Sequence, residues 1–177
     1  MLRNVGNMVP AYRSEHDVSS IGSAIEYAVE VLKVSNIVVC GHSHCGACAA
    51  LYNPSLEHSL PITSRWIAQG QHVKSLVLNQ ADLRGGDVTS ILGSHLRREE
   101  ILRATERAMI VQHLENLRTY PSVSRAAQAG QLELHGWYYI IEKGEVEQYD
   151  QKQTAFVPVH HEFGRHSLFR SKQKEHA

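Results

Sequence analysis

Between Asn36 and Leu51 the chain changes character three times. Asn36-Ile37-Val38-Val39-Cys40 is a short, largely β-branched apolar run, Gly41 breaks it, and Gly46-Ala47-Cys48-Ala49-Ala50-Leu51 is a small-residue stretch suited to a helix. A continuous apolar run of this length reads as a buried parallel strand, because a strand covered on both faces has no polar side to alternate with. Strand, glycine turn and helix in succession is the α/β pattern. In such sheets, ligands gather beyond the carboxyl ends of the strands.

The flanking segments agree with that pattern. Ile21, Ala24, Ile25, Ala28, Val29 and Leu32 recur at intervals of three and four, which predicts an amphipathic helix over 20–33 with Ser19 or Ser20 as N-cap. Residues 62–78 predict one or two helices around Trp66, and Gly85-Gly86 marks a break. Leu96, Ile101, Leu102, Ala108, Val111, Leu114 and Leu117 predict a long helix over 94–117. A short helix over 123–129 should end at Gly130. Residues 132–141 predict a strand, Lys143-Gly144 a turn, and 146–149 its hairpin partner. The expectation is an α/β fold with a mainly parallel central sheet, flanking helices and a C-terminal hairpin. Residues 1–159 form the domain, and 160–177 are a polar tail expected to be disordered.

Composition narrows the partners. Lys plus Arg equals Asp plus Glu at 18 each, so nothing in the net charge points to nucleic acid or an anionic membrane. No apolar run approaches the roughly 20 residues that span a bilayer. The three cysteines, Cys40, Cys45 and Cys48, fall within nine positions. This is a poor disulfide framework and a plausible metal or thiol site, which favours a reducing, cytoplasmic setting. The histidine count of 12 is high, but those of the tail, His160, His161, His166 and His176, read as solvated surface.

The chemistry concentrates in Cys40-Gly41-His42-Ser43-His44-Cys45-Gly46-Ala47-Cys48, at the strand-to-helix turn. Two residues separate His42 from Cys45, a spacing that can offer an imidazole nitrogen and a thiolate to one ion. Zinc favours such a mixed nitrogen and sulfur set. A helix start beside Cys45 favours its thiolate. The competing reading is a buried strand end with two incidental polar groups.

Several blocks in order resemble the β-carbonic anhydrase family from Arg3 to about Val159. Arg3-Asn4-Val5-Gly6-Asn7-Met8-Val9-Pro10 looks like the segment after that family's second strand. Ile25-Glu26-Tyr27-Ala28-Val29 is similar to the helix before the zinc strand. Val38-Val39-Cys40-Gly41-His42-Ser43-His44-Cys45-Gly46-Ala47 resembles the zinc motif. Leu134-His135-Gly136-Trp137 and Phe156-Val157-Pro158 match the last strands. The resemblance implies reversible hydration of carbon dioxide to bicarbonate and a proton. It makes His42 and Cys45 zinc ligands and places the Gly46 backbone N–H near bicarbonate. Val5 and Tyr27 would line an apolar carbon dioxide pocket, with Tyr27 near a dimer interface; ordinary core packing is the competing reading for both. Cys40 is expected to pack as a small buried hydrophobe.

The family also carries a Cys-x-Asp-x-Arg element upstream of the Arg3-Asn4 segment. It gives a further zinc ligand and an Asp/Arg dyad at the metal. No such element occurs in these 177 residues, so no catalytic residue is assigned. The implied reading is a family member that begins after that element and lacks the first strands of the fold. Its expectations are exposed apolar surface and pairing with another chain, as a homo-dimer or higher assembly. Cys48, one helical turn beyond Cys45, is a candidate substitute ligand, and His44 reads as a surface residue or a proton carrier. The alternatives are a non-catalytic zinc-binding or assembly subunit and, less well supported by the spacing, a thiol redox protein.

Overall fold

A computed structural model describes residues 1–159 apart from 15, 17, 18, 54 and 81–94. The break expected at Gly85-Gly86 and the tail 160–177 lie outside the described residues. After a single 3-10 turn, Val5–Asn7, the elements run α1 (Ser20–Glu30), β1 (Asn36–His42), α2 (Gly46–Ala50), α3 (Leu56–Ser59), α4 (Pro61–Ile67) and α5 (Gln71–Gln80). There follow α6 (His95–Arg118), α7 (Pro121–Gln128), β2 (Glu133–Ile140), β3 (Glu145–Asp150) and β4 (Ala155–Pro158). Ser19 caps α1, its side chain accepting from the Gly22 N–H. Gly130, at φ +66°, closes α7: its N–H returns to Ala127 O and that of Gln131 to Ala126 O, a Schellman ending that needs a left-handed residue.

The sheet order is β1-β2-β3-β4, with β1 and β2 parallel and the other two pairs antiparallel. The architecture is α/β with the expected C-terminal hairpin, but among the described residues the sheet is mixed rather than mainly parallel. Only β1 and β2 are joined by a long helical crossover; short turns join the later strands, and short turns produce antiparallel neighbours.

The long helix α6 lies against β1 and β2. It comes close because two glycines face it. A Cβ on Gly41 would stand 2.8 Å from Ile110 Cδ1, and one on Gly136 would stand 2.8 Å from Ile110 Cγ2. Ile110, Leu114 and Leu117 of α6 share one core with Ile21, Ile25 and Val29 of α1, Val123 of α7, and Val39, Tyr138 and Ile140 of the sheet. A second core wraps α2 and α6 with Cys45, Ala47, Cys48, Leu51, Ile67, Val73, Ile101 and Met109.

Strand β1 departs from the sequence expectation. It is the edge strand among the described residues, and its side chains alternate: Val39 and Gly41 are buried, while Val38, Cys40 and His42 are exposed. Cys40 is therefore not a buried packing residue. It points to the face opposite α6, where Tyr139 and Ile141 are also exposed. A run of apolar residues does not reveal which of its two faces is covered.

Candidate metal centre

The parallel strand β1 ends at His42, and α2 begins at Gly46. The three residues between them make the turn, with His44 in the left-handed region at φ 59°. A non-glycine residue there is held only if its surroundings over-determine it, and here they do. Ser43 is fully buried; its N–H donates to Tyr139 O, and its hydroxyl donates to Glu142 while accepting the Ile141 N–H. The His44 ring meets Arg103 Nη2 at 3.0 Å through Nδ1 and faces Glu142 at 3.4 Å through Nε2. His44 is half exposed and anchored from both sides.

The two sequence-assigned donors sit on either side of this turn. His42 Nδ1 lies 2.8 Å from Ser43 O. A carbonyl can only accept, so Nδ1 carries the hydrogen and Nε2 is left as the free donor atom. Cys45 is buried, and its thiol is pulled well below the ordinary 9.0, first by the hydrogen bond from Cys48 and also by backbone N–H groups of Cys48 and Ala47. His42 is near enough to add a small electrostatic pull in the same direction. The Cys48 thiol is pushed strongly upward by its bond to Cys45 and by burial. The pair therefore divides its roles, with Cys45 carrying the thiolate and Cys48 remaining its thiol donor.

An imidazole with a fixed tautomer and an easily ionised thiol fit zinc in kind. In number they fall short of the usual three protein ligands. No cluster of three or more His, Cys, Asp or Glu side chains suited to a metal occurs among the described residues.

The other expected site residues fall as follows. Gly46 opens α2 directly after Cys45, and nothing lies within 4 Å of where its Cβ would be. Val5 and Tyr27 are surface residues, 54% and 57% exposed, and neither belongs to either core. Val5 sits in the 3-10 turn beside β1 and accepts the Trp66 indole N–H through its carbonyl.

Sequence reasoning missed the side chains that brace the turn, Arg103, Glu106, Tyr138 and Glu142. One signal was available. Glu106 lies three and four residues from Met109, Ile110 and Leu102, on the apolar stripe of α6, where a charge calls for an explanation. A cleft of about 260 Å³ opens beside it, lined among others by His44, Cys45, Leu102 and Arg103.

An α/β sheet that presents an imidazole and a thiol at the carboxyl end of a parallel strand puts its candidate donors where such sheets gather ligands. Comparison with known proteins gives the family. The family model described as carbonic anhydrase matches residues 1–146. The carbonic anhydrase of Synechocystis sp. is 37% identical over 158 residues, covering 89% of this chain and 53% of that protein. Carbonic anhydrase 1 of Escherichia coli O157:H7 is 35% identical over 158 residues, covering 89% of this chain and 65% of that protein. The solved β-carbonic anhydrase CcaA superposes with a TM-score of 0.76 at 35% identity, covering 89% of this chain and 70% of that one. The chain belongs to the β-class carbonic anhydrase family, whose reaction is the hydration of carbon dioxide. It spans between about half and two thirds of the length of these curated relatives.

Proposed function

We propose that this chain carries the zinc loop of an enzyme that reversibly hydrates carbon dioxide to bicarbonate and a proton. The observation behind this reading is the braced turn from His42 to Cys45, which sets a tautomerically fixed imidazole and an ionisable thiol at the end of one strand. His42 Nε2 and Cys45 Sγ would hold the metal. Zinc supplies Lewis-acid activation of water near neutral pH when bound. The chain's own residues do the remaining work. Ser43 O holds the His42 ring in orientation. The Gly46 N–H, at the first position of α2, would serve an oxygen of bicarbonate. Val5 and Tyr27 give apolar surface for a substrate that has no charge to be recognised.

Family resemblance assigns the third ligand and the Asp/Arg dyad to a Cys-x-Asp-x-Arg element, which these 177 residues do not contain. Among the described residues β1 is an edge strand, with Val38, Cys40 and His42 exposed, and a further strand would add there. We place the protein in the reducing cytoplasm on its three free thiols, and in a homo-oligomer on its exposed apolar residues Tyr27, Val31, Leu32 and Val38.

The test is zinc stoichiometry and carbon dioxide hydration by the purified chain, beside His42→Ala and Cys45→Ser. Zinc and hydration that both variants lose support the enzyme. Zinc without hydration leaves the non-catalytic zinc-binding or assembly subunit. Metal-free protein after purification in zinc sinks both readings.

A further inference from the structure

Glu106 is a carboxylate that the chemistry described so far does not use. It is 3% exposed, sits in the core around α2 and α6, and yet has every partner it needs. Its Oε1 accepts the Cys45 N–H at 2.8 Å. Its Oε2 accepts the Tyr138 hydroxyl at 2.7 Å and lies 3.1 Å from Arg103 Nη1. Taking a carboxylate out of water is costly, and a leucine of similar volume would fill the space at lower cost. A fully paired buried acid in an apolar stripe is therefore a residue with a specific task.

The partners indicate the task. Cys45 is the residue before α2, and its sulfur faces the Cys48 thiol and the first backbone N–H groups of that helix, Ala47 and Cys48. Glu106 reaches across from α6 and takes the Cys45 N–H, fixing the backbone from which the thiol projects. Arg103, one turn earlier on α6, is paired to Glu106 and holds the His44 ring with its other nitrogen. The two side chains of α6 thus grip consecutive residues of a turn whose backbone at His44 is left-handed. His42, by contrast, is fixed by the strand that carries it and by Ser43 O. The two candidate donors are held by different partners: α2 bonds the Cys45 carbonyl through the Ala49 N–H, and α6 fixes the Cys45 N–H.

We propose that Glu106 is the positioning residue for Cys45, holding its backbone so that the thiolate faces the ion shared with His42. The zinc part of this inference rests on the functional reading above; the Cys45 backbone part does not.

The test compares Glu106→Ala, Glu106→Gln and Tyr138→Phe in the full 177-residue chain. Three quantities are measured: amide hydrogen exchange at Cys45 by NMR, zinc affinity by chelator competition, and thermal stability. Glu106→Ala should speed exchange at Cys45 and weaken zinc about 10–100-fold, the usual effect of losing a group that orients a ligand. Glu106→Gln retains an acceptor for the Cys45 N–H and should restore both. Tyr138→Phe removes a different partner of the same carboxylate; it should lower the melting temperature and leave both Cys45 readouts unchanged. If Glu106→Ala does not fold, Glu106→Asp, which withdraws the acceptor by one methylene, replaces it. The proposal is overturned if exchange at Cys45 matches the wild type in the truncated variants, or if Tyr138→Phe reproduces their losses. Should the wild type take no zinc, the functional reading falls, and exchange at Cys45 still decides the role of Glu106.

Discussion

Replacing Gly41 by alanine puts one methyl group into the seam between α6 and β1, one residue before His42. The new Cβ would lie 2.8 Å from Ile110 Cδ1 and 2.9 Å from its Cγ1. Reaching ordinary van der Waals contact requires a shift of about 0.6 Å in a close-packed interior. Ile110 has nowhere to go: it is fully buried, and its Cγ2 is pressed equally close to the Cβ position of Gly136. Overpacking of this kind costs about 1–3 kcal/mol, and the reduced freedom of the unfolded chain returns about 0.4–1 kcal/mol. The net expectation is a loss of about 1–2 kcal/mol, or roughly 2–8 °C in melting temperature for a domain of this size. Urea unfolding followed by tryptophan fluorescence measures it. Gly46→Ala is the control, because nothing lies within 4 Å of that Cβ, and the same chemical change should there stabilise by about 0.4–1 kcal/mol. In a double-mutant cycle, Ile110→Ala should cost less in the Gly41→Ala background than alone, since the added methyl fills part of the cavity. A Gly41→Ala protein as stable as the wild type, or strictly additive effects with Ile110→Ala, would refute the claim that helix–sheet distance is set by this contact.

Burial of His113 drives its pKa down from 6.5 to about 4, so the folded state keeps the imidazole neutral while the unfolded chain takes up a proton. Stability should therefore be complete above about pH 6.5 and fall as the pH drops toward 4, by roughly 3 kcal/mol in all. His113→Gln should flatten that slope in denaturant titrations between pH 7 and pH 4.5, and an unchanged slope would rule this origin out. Arg107 donates through Nε and Nη2 to Glu147 Oε2, at 3.0 and 2.8 Å, and stacks 4.1 Å from the Tyr138 ring centre. Lysine keeps the charge but neither the two-pronged bond nor the flat contact, so Arg107→Lys should lower the urea midpoint by the equivalent of about 1–2 kcal/mol; a midpoint equal to the wild type would show that the charge alone suffices. Because Cys48 acts as the thiol donor to Cys45, Cys48→Ser should retain zinc where Cys45→Ser loses it. Equal loss of zinc in the two variants would make Cys48 a ligand.

The sequence alone carried the elements and the residue types of the loop. Three- and four-residue periodicity located α1 and α6, Gly130 marked the end of α7, and the His42–Cys45 spacing marked the candidate donors at the strand end, because these signals are local and repeat the geometry that produces them. Which face of β1 is covered was not legible: Val38, Val39 and Cys40 are all apolar, and only the position of α6 decides that Val39 is covered while Val38 and Cys40 are not. Nor could the sequence join Glu106 to Cys45, 61 positions apart, or Ser43 to Glu142, 99 apart. The first pairing exists only once α6 has settled onto Gly41 and Gly136, the second only once β1 and β2 have paired. A side chain's type sets which bonds it is able to make, and packing of distant elements sets which partner is within reach to make them.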